Sequence, residues 1–145
     1  MAPATVPARK TRKDFQRLAE LRAKEAATLS KTGNQQGAYY LAGFAVECAL
    51  KACIAKKTRR HDFPADKEYA GKVYTHNLDQ LLKLANLEAQ LYEDIETHPL
   101  LFDNWNIVPD WKVDCRYETS RLNGRNMTRA VNSEEGVLRW IKLHW

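Results

Sequence analysis

The sequence predicts an all-α fold, an up-and-down bundle of four to five helices, on three observations. Apolar residues recur at three- and four-residue spacing, no segment alternates as a strand does, and the stretch GAYYLAGFAVECALKACIAK at 37–56 is apolar round most of its circumference. A helix of that kind must be contacted on several sides. With 145 residues, 44% apolar and 28% charged, the chain is long enough for one soluble domain with a sizeable core.

Each element follows from a local signal. Thr11 and Asp14 stand in capping-box spacing, and Phe15, Leu18, Leu21 and Leu29 stripe a first helix running to about Lys31. Gly33 stops it. The second helix starts between Asn34 and Gly37 and runs to about Lys57. Residues 58–75, with Pro64 and Gly71, read as a long polar connection. Asn77, followed three residues on by Gln80, opens a third helix carrying Leu78, Leu81, Leu82 and Ala85 on one face. A further helix from about Glu88 carries Leu91, Ile95 and Phe102, with Pro99 expected to end or kink it. NWNIVPDWKVDCRY reads as irregular and aromatic. The last helix is expected to include Ser133 to Leu143, with Val137, Leu138 and Ile141 along one side.

Charge and cysteine usage narrow the setting. Of the eighteen residues from Ala38 to Ala55 only Glu47 and Lys51 are charged, and in lipid each would cost roughly 2.5–3.5 kcal/mol near the centre of a span. A core helix, not a membrane helix, is therefore expected. The N-terminal stretch MAPATVPARKTRK lacks the apolar run of a secretory signal and is read as a flexible basic arm over 1–11, ahead of a bundle domain over 12–145. Cys48, Cys53 and Cys115 are odd in number, lack CxxC spacing, and include a pair five apart whose side chains diverge on a helix, so a cytoplasmic protein is expected. The net charge of +5 is contributed entirely by residues 1–24, so the high pI is weak evidence for a nucleic-acid-binding body. Two smaller blocks are polarised, since residues 88–114 sum to −6 and residues 116–129 to +3.

Three stretches, GAYYLAGFAVECALKACIAK, THNLDQLL and WKVDCRY, together resemble HEPN-domain proteins, small prokaryotic helical bundles often paired with a minimal nucleotidyltransferase. The likeness spans roughly residues 12–142, and AVECALK is its most specific string. It implies a homodimer with polar residues gathered in a cleft near the interface. It also implies one of three roles: a metal-independent ribonuclease or toxin, a nucleotide- or RNA-binding module, or a subunit that holds a nucleotidyltransferase. The ribonuclease members carry an arginine followed four to six residues on by histidine near a late helix. Arg116 stands about where that arginine belongs, but the positions after it are Arg121, Leu122 and Asn123. Arg139 and His144 satisfy the spacing in RWIKLH, away from the family's location. The missing histidine favours a binding module over an enzyme, and no cofactor is implied.

The cleft expected from these residues contains Glu47, Lys51, His76, Arg116 and Tyr117. Glu47 and Lys51 have the i,i+4 order that favours an ion pair. They read either as a solvated or register-fixing pair or as cleft groups, with Glu47 holding Arg116 and Lys51 meeting a phosphate. His76 reads as a helix-start cap or as a proton-transfer group. Tyr117 and Trp111 read as core anchors or base-stacking surfaces. Arg121, Arg125 and Arg129 share a face if that stretch is helical, either as a solvated complement to the acidic block or as contacts to an RNA backbone. No Cys or His stands at ligand spacing from His61 or His98, so no metal is expected.

Overall fold

A computed structural model describes residues 10–57 and 72–145. Among these, every regular element is helical: α1 Arg12–Lys31, α2 Gln35–Lys56, α3 Leu78–Leu84, α4 Glu88–Thr97, α5 Pro99–Ile107, α6 Gly124–Asn132 and α7 Val137–Lys142, with two 3-10 turns at Val108–Asp110 and Val113–Tyr117. The all-α bundle is the observed fold. Most of the expected N-terminal arm, and residues 58–71 of the expected connection with His61, lie outside the described residues.

Local chemistry sets the helix ends. The Asp14 amide donates to Thr11 Oγ1 and the Thr11 amide donates back to Asp14 Oδ2, closing the box that starts α1. Those hydrogen bonds from Thr11 hold the Asp14 carboxyl below its ordinary value. Gly33, at φ 81°, turns the chain in the left-handed region and lets α2 return antiparallel along α1. Asn77 Oδ1 accepts from the Gln80 amide at the start of α3, and Pro99 occupies the first turn of α5, dividing it from α4.

Alanine makes the central seam. Ala19, Ala23 and Ala26 on α1 and Ala38, Ala42, Ala45, Ala49, Ala52 and Ala55 on α2 are all buried, which lets two long helices approach closely. The other side of α2 meets α3, α6, α7 and the second 3-10 turn. At Gly43 the Trp111 indole lies so close that a β-carbon would overlap it, and at Gly124 the backbone of Gln35 is equally close. These two glycines fix how the late segment seats on α2.

Two expected boundaries shift, and burial accounts for the apolar character of α2. The apolar surface of α2 is covered within one chain, because every residue from Ala45 to Ala55 is buried. α2 is long and apolar enough to cross a membrane, yet 78% of its most apolar stretch is buried inside the bundle, which gives that apolar character a core role. Finally, Asn104–Ile107 complete α5 instead of belonging to a loop, and the last helical stretch is broken at Ser133–Gly136, so α7 starts only at Val137. Asn104 stabilises that break, donating to the Glu135 carbonyl from an almost fully buried position.

Candidate functional site

Glu47 sits in the middle of α2, 2% exposed, and its two carboxylate oxygens face two different donors. Lys51 Nζ, one turn further on, donates to Oε2 at 3.2 Å, and His76 Nδ1 lies 2.8 Å from Oε1. A carboxylate only accepts, so Nδ1 is the donor in this contact. Lys51 is nearly as buried as Glu47, at 6%, whereas 49% of the His76 side chain is open. The Lys51 ammonium also lies over the Tyr74 ring, 6.0 Å from its centroid. Two buried charges thus neutralise each other and hold a half-open imidazole at the edge of the bundle.

The local fold explains how these groups meet. Position 47 faces inward on α2, and His76 lies just ahead of Asn77, whose cap fixes the start of α3. The chain therefore delivers the imidazole to the α2 carboxylate at the place where α3 docks.

Tyr40, seven residues before Glu47, falls on the same side of α2 and about 10 Å along its axis. Its ring stacks with Phe44 at 6.0 Å and with Trp111 at 6.3 Å. Arg116 lies over Tyr117, 5.0 Å from the ring centroid, and interacts with the Tyr40 side chain as well. Those contacts, Tyr117 first, raise the guanidinium above its already high ordinary value. Tyr117 is 73% exposed. Trp111, by contrast, is buried against Gly43 and is a core anchor.

The expected partnership of Glu47 with Arg116 does not form. Glu47 is satisfied by Lys51 and His76, and the guanidinium sits two turns away on aromatic faces. Nor do the three arginines share one helical face. Arg121 has φ 73° and precedes α6, whereas Arg125 and Arg129 are on it. Arg121 and Arg125 border a concavity of about 490 Å³ with Gln35 and Asn123, and Arg129 donates to Asn104 and Asn126 instead of an acid.

Arg139 and His144 go to different surroundings. Arg139 lines a groove of about 550 Å³ between α1 and the last two helices, together with Lys24 and Lys142. His144 packs on Trp140 with ring centroids 4.8 Å apart, and its buried Nε2 has no hydrogen-bond partner among the described residues. Burial pushes its pKa down. A histidine so enclosed is poorly placed to exchange protons with a ligand.

All three cysteines are buried thiols, with Cys48 and Cys53 pushed up to about 12 and Cys115 to about 11, chiefly by burial. Among the described residues, no group of three or more His, Cys, Asp and Glu gathers as a metal ion would require. Sequence reasoning missed Tyr40 and Tyr74. The first was legible from its seven-residue offset to Glu47, whereas nothing in the spacing places Tyr74 over Lys51.

The class of protein that these features define is an all-α bundle with a carboxylate–imidazole pair at its edge. No family model matches the chain, and neither the curated proteins nor the solved structures give a match.

Proposed function

We propose that the chain is a HEPN-like, cytoplasmic binding module that takes a nucleotide or single-stranded RNA along the side of α2 running from Tyr40 to Lys51. One observation carries this reading: Glu47 and Lys51, buried and mutually neutralised, hold His76 half open at the surface. A pair kept only for stability gains little from a solvent-facing third member. Two turns along the same side, Arg116 and the exposed Tyr117 add a guanidinium for phosphate and a ring face for a base.

Titration of the purified chain with adenosine and guanosine nucleotides and with a short single-stranded RNA, followed by tryptophan fluorescence, tests the proposal. Binding that weakens with salt and is lost in both Arg116→Ala and Tyr117→Ala is the expected result. Absence of binding by every nucleotide and by RNA at low salt overturns it.

A second reading, an interaction subunit for a protein such as a nucleotidyltransferase, is favoured by Tyr92, Leu100 and Phe102, exposed on the acidic α4–α5 hairpin. Pull-down of a co-expressed partner that is lost in Leu100→Asp and Phe102→Asp distinguishes it.

A further inference from the structure

We infer that the pocket between α4 and α7 takes an arginine side chain from a basic, amphipathic segment of a partner protein. The inference rests on the interaction-subunit reading above and names the chemistry of that contact.

The pocket has an apolar floor and a charged rim. Leu101 and Trp140, both buried, close its base, and the largely exposed Leu143 forms one wall. Leu100 extends the exposed apolar surface of α5, on the side that it shares with Asn104, four residues on, whose side chain reaches Glu135. Three carboxylates line the pocket, those of Asp94, Glu134 and Glu135, against one guanidinium, that of Arg139, and the His98 imidazole. Among the described residues none of the three carboxylates is in an ion pair.

The fold holds this rim in place. Trp140 Nε1–H donates to Asp94 Oδ2 at 2.7 Å and Gln90 Nε2 donates to Oδ1 at 3.0 Å. Those bonds, Trp140 first, keep the carboxyl below its ordinary value and leave it further acceptor capacity. Glu134 and Glu135 stand in the break between α6 and α7, pinned where Asn104 donates to the Glu135 carbonyl and the Gly136 amide donates to the Ser133 carbonyl at 2.8 Å. A β-carbon at Gly136 would crowd the carbonyls of Val131 and Ser133, so the turn is tightly packed.

Size and charge select the occupant. At about 280 Å³ the pocket falls just below the range of about 300–1,000 Å³ that holds whole small ligands, and it suits a single long side chain. The excess of carboxylates selects a cation. An arginine meets carboxylates from several directions through its planar fork, lays its apolar stem along a residue such as Leu143, and is more weakly hydrated than a lysine ammonium. The block 88–114, which supplies α4 and α5, sums to −6 and favours further basic residues in the same segment. Leu100 and Leu143, both exposed, favour apolar residues among them.

The test measures fluorescence anisotropy of a short labelled peptide of leucine and arginine against the full chain, beside peptides in which lysine or the uncharged citrulline replaces every arginine. The arginine peptide should bind, the lysine peptide more weakly, and the citrulline peptide about tenfold more weakly still. Glu134→Gln and Glu135→Gln together should weaken the arginine peptide about tenfold, and Leu143→Ser by a smaller factor. Glu93→Gln, at an exposed acid on α4 outside the pocket, should leave it unchanged. All four positions are exposed, so these variants keep the fold. Equal binding of the arginine and lysine peptides, or an equal loss in Glu93→Gln, reduces the pocket to general acidity and overturns the inference. Displacement by agmatine as effective as by unlabelled peptide makes the pocket a small-molecule site and also overturns it. A co-expressed partner captured through Leu100 and Phe102 but indifferent to Glu134→Gln and Glu135→Gln overturns the inference and leaves the interaction reading standing. If no peptide binds, the inference falls, and the pull-down decides the interaction reading by itself.

Discussion

Replacing Glu47 by Gln removes the charge on which two other groups depend. At 3.2 Å and an effective dielectric near 20, the attraction between Glu47 and Lys51 is about 5 kcal/mol before desolvation is counted. Desolvation offsets much of that in the intact pair. In the variant, however, the Lys51 ammonium stays buried without a counter-charge, and breaking such a pair costs about 3–5 kcal/mol. With a urea slope of about 2 kcal/mol/M, the unfolding midpoint should fall by roughly 1.5–2.5 M. Lys51→Met should cost a comparable amount, because it leaves the buried Glu47 carboxylate without its ammonium partner. The double variant should be less unstable than the sum, by about 1–3 kcal/mol, since removing both charges removes the mismatch. Arg116→Met should leave the midpoint unchanged, because its guanidinium lies on exposed Tyr117. Urea melts of these four variants beside the parent decide the matter. Costs under about 1 kcal/mol for both charge variants, adding without coupling, would refute the buried pair.

Gly43→Ala should cost about 1–3 kcal/mol and alter the near-UV circular dichroism, because a β-carbon there overlaps the Trp111 ring. Acid should destabilise the protein in two stages, read by thermal melts across pH. The His144 pKa is lowered on folding by burial, so its contribution is intact above about pH 6.5, where the unfolded side chain is neutral too, and is lost as pH falls through the folded value. The Asp94 carboxyl is held low by the Trp140 Nε1–H donating to it at 2.7 Å, so its contribution is intact above about pH 4 and lost below that, a stage that Trp140→Phe should weaken. Alkylation by iodoacetamide at pH 8 should label none of Cys48, Cys53 and Cys115 in the folded protein and all three in denaturant, as mass spectrometry would show.

The signals that sequence carries well are those decided within a few residues. The Thr11–Asp14 box, the turn at Gly33, the cap at Asn77 and the division at Pro99 all needed only local hydrogen bonding or a fixed φ, and each stands where its residues put it. The break at Ser133–Gly136 was hidden, because it depends on Asn104 reaching across from α5 to the Glu135 carbonyl. In the site, the i,i+4 relation of Glu47 to Lys51 was legible as helix geometry. Which third group would complete it was not, since charge alone made Arg116 the natural choice for Glu47, and only the docking of α3 brings His76 there instead. The same limit applies to Arg121, whose left-handed backbone takes it out of the register that its four-residue spacing implied.

The alanine seam between α1 and α2 bears on how this protein can change over time. A contact surface built from the smallest side chains leaves little slack, so a larger residue facing it from either helix would overpack the seam. Glu47 and Lys51 are set in that inflexible strut, whereas His76, Arg116 and Tyr117 come from short segments that rest on it. The proposed binding surface can therefore be rewritten in the resting segments, one side chain at a time, while the strut and its charge pair stay as they are.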